Sequence, residues 1–346
     1  MKYIFTIALF FLFSLALSWL IGACNKVERT EPLDYVSLTV PDGFPAPVQD
    51  FGSNRFSREG IALGRRLFYD GILSKDGHFP CSSCHQQIAG FGTFEHDRSH
   101  GYNSSHTLRN APVLFNLAWS DKFHWDGAFS SLHEEAAQPI TGIIEMAETF
   151  DNVIRKLKAD GAYRRMFRRV FQTYDIRPVH IQMALEQFTG SLISANSRYD
   201  QFKRGELSFS SDELAGYALF QQHCTGCHPE PLFTDYSYRN IGLPVDNLLR
   251  DYGRMLVTGL SSDSLKFKVP TLRNVDISSN YMHDGRFNTI LQVLNHYSTG
   301  IQQSATLDPM LAGGISFTAT ETGQMVRFLR TLTDSSFLTN PALSRP

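Results

Sequence analysis

The sequence predicts an all-α fold built as two related halves with long irregular loops. Apolar residues recur at helical spacing in several stretches, and few stretches alternate with period two. The pentapeptides "CSSCH" (81–85) and "CTGCH" (224–228) share the pattern Cys-x-x-Cys-His and lie 143 positions apart. Further echoes follow in the same order. "TLRNAPVLFN" (107–116) echoes "TLRNVDISSN" (271–280), and "WDGAFSSL" (125–132) echoes "HDGRFNTI" (283–290).

The chain begins with Lys2 and an apolar run from Tyr3 to Ile21, followed by "GAC". A positive start, an apolar run and small residues read as an export signal over 1–23, although the run is also long enough to span a membrane. "LIGAC" resembles a bacterial lipobox, which predicts cleavage before Cys24, lipidation of its thiol and a periplasmic protein anchored to a membrane. Residues 24–50 carry four prolines and read as a tether. The first half is expected over 51–200 and the second over 201–340, divided near "NSRYDQFKRGELSFSS". Ser57 is placed to cap a helix in "SREGIALGRRLF", with Glu59 in the first turn where a carboxylate suits the helix dipole. Ser210 and Glu213 stand at capping-box spacing in "SSDELAGYALFQQ". "PVHIQMALEQFTGSLISA" and "TETGQMVRFLRTL" complete the main helices. The Gly-, Asn- and Ser-rich stretch 88–107 reads as a long functional loop.

A formal net charge of −2 gives no electrostatic footprint for nucleic acid. The 27 phenylalanines suit packing around a large apolar cofactor, and equally an ordinary Phe-rich core. Apart from Cys24, all the cysteines (Cys81, Cys84, Cys224 and Cys227) lie in the repeated motifs, leaving none for a disulfide framework. A zinc site wants two Cys pairs ~15–20 residues apart, and a redox dithiol has no use for the following His. Covalent haem c uses all three residues: two thioethers to the ring and an iron ligand beneath it. Two complete motifs therefore predict two haems, with His85 and His228 as proximal ligands.

"LGRRLFYDGILS", "LRNAPVLFNLAW", "FHWDGAFSSL", "PITGIIEM", "SLISANSRYDQF", "FKVPTLRNV" and "YMHDGRF", with the two haem motifs, resemble the bacterial di-haem cytochrome c peroxidase family, including its MauG-like branch. The resemblance spans about 57 to 335. It implies two cytochrome c-like domains, a calcium ion between them, and reduction of hydrogen peroxide at the N-terminal haem with electrons relayed from the C-terminal one. The donor would be a small cytochrome c or cupredoxin, and a homodimer is a common family assembly. Carried over by motif, Glu145 is the acid–base group at the first haem. Glu135 falls where the family usually has a Gln that helps position peroxide, and Trp125 lies between the haems. His100 is the candidate resting ligand of the first iron, with His96 and His106 on the same loop. Asn110 is the carried-over calcium ligand, with Ser278 and Asn280 as further candidates, and Arg109 and Arg273 are candidate partners of haem propionates.

At the second haem the family's peroxidases have a distal Met. Here that position holds Tyr297, as in the MauG-like branch, with Met282, His283 and His296 as alternatives. An oxygen ligand favours the oxidised iron, whereas a thioether favours the reduced one. The expected function is thus a peroxidase. The alternative is an oxidase acting on an organic or protein substrate through a high-valent two-haem state. A non-catalytic electron carrier is a third reading, against which Glu145 argues.

Overall fold

A computed structural model describes residues 31–346. The signal segment and Cys24 lie outside the described residues. The longer helices, in chain order, are α1 (Arg58–Tyr69), α2 (Phe150–Ala159), α3 (Gly161–Phe171), α4 (Pro178–Gly190), α5 (Ser211–His223) and α6 (Ala319–Arg330). Ser57 accepts a hydrogen bond from the Gly60 N–H, with Glu59 in the first turn of α1. Ser210 and Glu213 form the capping box of α5. Stretch 88–107 holds only single turns of 3₁₀ helix. The all-helical expectation needs one small addition, a two-stranded antiparallel pair formed by β1 (Tyr238–Arg239) and β2 (Phe267–Lys268).

Two large cores form among the described residues, each beside one Cys-x-x-Cys-His motif, and a small cluster gathers Ala118, Trp119 and Leu232. The first gathers α1 to α4, with Cys81 packed against it; the second gathers α5, α6 and Cys224. Both are organised around three phenylalanines. Phe68, Phe91 and Phe188 have ring centroids 5.2–6.2 Å apart. Phe220, Phe233 and Phe328 repeat the arrangement at 5.0–6.4 Å. In each core two long helices cross at a glycine. A Cβ on Gly64 of α1 would collide with the Ala184 carbonyl oxygen of α4, and one on Gly216 of α5 with that of Gln324 in α6. Such a contact leaves no room for a methyl group. Gly216→Ala is expected to destabilise the protein by about 1–3 kcal/mol, read as a lower midpoint in chemical denaturation. Gly323→Ala, in α6 with nothing within 4 Å of its added Cβ, should be neutral or slightly stabilising.

The duplication has a different register from the one the "TLRN" echo suggests. Asn116 and Asn274 are both left-handed and both open a 3₁₀ turn. Their N–H groups donate to Leu192 and Leu332, just beyond α4 and α6. The loops closed by the Phe123–Phe129 and Tyr281–Phe287 bridges follow at the same distance. Equivalent positions are therefore 158 residues apart from 110 to 129. "NAPVLFN" matches "KVPTLRN", so Arg273 is the counterpart of Phe115 and not of Arg109. The identical tetrapeptides lie 164 residues apart and are out of register with the WDG and HDG turns, which keep the 158-residue spacing.

The register exposes a reciprocal exchange between the halves. The Asn110 N–H donates to the His283 carbonyl and the Lys268 N–H to the Trp125 carbonyl, both at 2.7 Å. Arg109 adds ion pairs to Asp126 and Asp251, each at 2.5 Å. The Pro-rich stretch from Asp34 onward lies along the body. Pro45 accepts from the Trp119 indole at 2.7 Å, and the Ala118 carbonyl accepts from Val48 and Gln49.

Candidate active site

The two motifs fold alike. Each histidine N–H returns to the carbonyl of the first cysteine, from His85 to Cys81 at 3.0 Å and from His228 to Cys224 at 2.8 Å. The imidazoles are fixed from behind: Nδ1 of His85 lies 2.8 Å from the Phe91 carbonyl, and Nδ1 of His228 lies 2.9 Å from that of Phe233. A carbonyl only accepts, so Nδ1 carries the proton and Nε2 keeps its lone pair. Both phenylalanines adopt positive φ, 58° and 55°, a conformation uncommon for a non-glycine residue and typical of functional positions. Burial lowers the pKa of both histidines, keeping them neutral and able to bind a metal. The four motif cysteines are free thiols, and burial pushes Cys81 and Cys224 up to about 12.

Glu145, Glu135, Gln138 and His124 gather around the first motif. Burial raises the Glu145 pKa, partly opposed by a hydrogen bond from the Gln138 side chain and the nearby His124. Glu135 accepts from Nε2 of His124 at 3.1 Å, and its charge is felt at both Cys81 and His85. Gln138 and His124 were not singled out in the sequence. The family's Gln is replaced by Glu135, and a Gln stands three residues further on at Gln138. Tight backbone packing sets Glu145. A Cβ on Gly142 would fall 2.5 Å from its Oε2, Gly101 packs on its backbone, and the Tyr102 N–H donates to its carbonyl at 2.7 Å.

His100 is exposed, with its ring between those of His96 (4.5 Å) and His106 (4.3 Å). Its carbonyl, rather than its ring, is the part recorded near Cys84, 3.8 Å from Sγ. The guanidiniums assigned to propionates are held by carboxylates of the chain itself. Arg109 is engaged as above, and Arg273, 1% exposed, forms a fork with Asp200 at 2.7 and 2.9 Å.

A cavity of about 300 Å³ runs from His124 and Trp125 to the second motif, where Cys224, Cys227, His228 and Tyr297 line it. Its other walls are mainly apolar, including Val269, Leu272, Ile290, Leu294 and Phe317. Asn110, Ser278 and Asn280 line the same space.

The sequence profile of the family described as "Di-haem cytochrome c peroxidase" matches residues 58–208. The methylamine utilization protein MauG of Methylorubrum extorquens is 32% identical over 315 residues, covering 90% of this chain and 88% of that protein. The chain belongs to the di-haem cytochrome c peroxidase family. The cytochrome c551 peroxidase of Nitrosomonas europaea is 31% identical over 326 residues, covering 93% and 90%. A crystal structure described as a MauG-like protein associated with microbial copper homeostasis superposes with a TM-score of 0.83 at 30% identity, covering 90% of this chain and 99% of that one. The chain is therefore an oxidoreductase of peroxidase type, from a family that carries two haem c groups.

Within this family member the two motifs differ in what stands near them. Carboxylates, an amide and an imidazole surround the first. At the second, Tyr297 sits on a π-helical turn, His296–Gly300, that continues the short helix Ile290–Asn295, a distortion frequent at functional sites. Burial and the neighbouring Cys224 and Cys227 raise its pKa. His296 is tied through Nε2 to the Ile241 carbonyl at 2.9 Å. His283 is stacked on Phe267 at 3.6 Å, and burial pushes it down to about 4. Met282 lines the cavity with φ of 73°.

Proposed function

We propose that the chain is a di-haem c-type peroxidase that reduces hydrogen peroxide to water. Electrons come from a small cytochrome c or cupredoxin and pass from the C-terminal to the N-terminal haem, each held in a cytochrome c-like domain. The carrying observation is the buried Glu145 carboxyl, with its raised pKa, set beside the first motif with Gln138, Glu135 and His124. The residues fit covalent haem at both sites: paired free thiols, an imidazole with its Nε2 lone pair available, and at the second an apolar cavity. Each haem, when bound, supplies a one-electron redox centre. Reduction of one peroxide consumes two electrons and two protons and gives two waters. Glu145 takes the proton from one peroxide oxygen and returns it to the leaving oxygen, while Gln138 holds the carboxyl in place. A carboxyl with a raised pKa is suited to both steps near neutral pH.

In this reading Trp125 meets the second half through its carbonyl, which accepts from the Lys268 N–H at 2.7 Å, while its indole donates to the Asn110 carbonyl at 2.9 Å. Asn110 uses its amide N–H on the Asp97 carbonyl at 2.9 Å, leaving its oxygen to face a calcium ion with Ser278 and Asn280. The protein is exported, lipid-anchored through Cys24, and assembled as a homodimer.

Tyr297 favours a second reading, oxidation of an organic or protein substrate, because an oxygen ligand disfavours the reduced, electron-storing iron. A redox titration followed by optical and EPR spectra, with peroxide added at each poise, separates the two. Turnover confined to the half-reduced protein is the result expected of the peroxidase. A stable doubly oxidised product formed from the fully ferric protein would establish the second reading instead.

A further inference from the structure

Helix α3 is charged on one side only. Tyr163, Met166, Phe167 and Val170 pack into the first core. The outer face carries Arg164, Arg165, Arg168 and Arg169, and the helix holds no carboxylate. At about 100° per residue these four lie within an arc of about 140°. Arg164 and Arg165 are exposed. Arg164 donates to the Lys158 carbonyl at 2.6 Å, and Arg168 lies over the ring of Tyr174, 4.5 Å from its centroid. Tyr174 is itself 67% exposed. The nearby carboxylates are engaged: Asp160 caps the helix, Asp175 pairs with Lys158 at 3.1 Å, and Glu59 pairs with Arg169. In a chain of net charge −2, this is a local concentration of cations.

The same face adjoins the start of the body. Glu59, the partner of Arg169, also accepts from the Asp34 N–H at 3.1 Å. The Arg58 N–H donates to the Asp34 carbonyl at 2.9 Å, and its side chain pairs with the Asp34 carboxylate at 2.7 Å. Cys24 lies ten positions before Asp34, a reach of at most about 35 Å when fully extended. A lipid on Cys24 therefore keeps this arginine face close to the head groups. Guanidiniums beside an exposed tyrosine suit that layer, where cations meet anionic lipid and aromatic rings sit at the interface. A second copy of the chain fits less well, because a two-fold axis would set arginine against arginine.

We propose that the outer face of α3, with Tyr174, is a docking surface for an anionic phospholipid membrane, so that the body lies on the bilayer by this face. The proposal rests on the reading of Cys24 as the lipid attachment point. One chain alone is a weak and reversible anchor, and a basic patch supplies the second signal that holds a protein at a membrane. The two contacts together also fix which way the body faces, which a lipid on a Pro-rich tether cannot do.

The test uses the exported mature holoenzyme carrying Cys24→Ser, so that no lipid holds it, sedimented with vesicles. It is expected to bind phosphatidylcholine vesicles containing phosphatidylglycerol, to ignore phosphatidylcholine alone, and to be released by salt. Arg165→Gln with Arg168→Gln should weaken binding about tenfold or more, and Arg165→Lys with Arg168→Lys should restore most of it. Arg327→Gln with Arg330→Gln, on α6, should leave it unchanged. Haem content, thermal midpoint and peroxide turnover serve as controls for folding. Equal binding to both kinds of vesicle would overturn the proposal. So would undiminished binding by the folded Arg165→Gln, Arg168→Gln protein, and a raised KM for an acidic donor protein in that variant would assign the face to such a partner instead. Absence of labelled palmitate from the parent chain would sink the reading of Cys24, a result distinguishable from any of these.

Discussion

Glu145→Gln is expected to lower peroxide turnover by about 10²–10⁴-fold, the usual range for loss of a positioned acid–base group. Both haems should remain attached, because the cysteines and proximal histidines lie on other segments. The amide is nearly isosteric, so Gly142, Gly101 and Tyr102 can hold the segment as before. Stopped-flow reduction of peroxide by the pre-reduced protein, with haem content measured in parallel, reads both quantities. Turnover within a few-fold of the parent would remove Glu145 from the chemistry. Glu135→Gln should cost less, since Glu135 is held by His124 and acts on Glu145 only through charge.

Tyr297→Met is expected to raise the second haem's midpoint potential on the order of a hundred millivolts or more, within the ~0.8 V that axial ligands span. The geometry favours Tyr297 over its neighbours: it lines the cavity with Cys224, Cys227 and His228, whereas His296 is tied to a backbone carbonyl. A potential and ferric spectrum identical to the parent's would dismiss Tyr297 as a ligand. If the potential rises and peroxidase turnover improves with it, the tyrosine is what separates this chain from an electron-storing peroxidase.

Much of this was legible in the sequence because it rests on local chemistry. Ser57, Ser210 and Glu213 cap helices through contacts within three residues, and each Cys-x-x-Cys-His motif closes on itself within five. Glu145 lies beside Gln138 and near His124, and Tyr297 lines the cavity with Cys224, Cys227 and His228. What stayed hidden depends on chain segments far apart. Nothing in the spacing of Gln138 shows that its side chain reaches Glu145. Nothing in "FKVPTLRN" shows that the Lys268 ammonium reaches the Lys122 carbonyl of the other half. The carboxylates that hold Arg109 and Arg273, Asp251 and Asp200, lie 142 and 73 residues away. The true register was also beyond the sequence, since an exact four-letter repeat competed with a weaker match that backbone geometry favours.

The reciprocal bonds of Asn110 and Lys268 bear on how electrons travel. Each half supplies a backbone donor to the turn of the other, and those turns carry Trp125 and His283. Rotating one half against the other would break both bonds at once. In the proposed relay these two bonds would hold the separation of the two haem sites fixed. Any control over electron transfer would then act at Glu145, Tyr297 and the segments that hold them, not through the spacing of the halves.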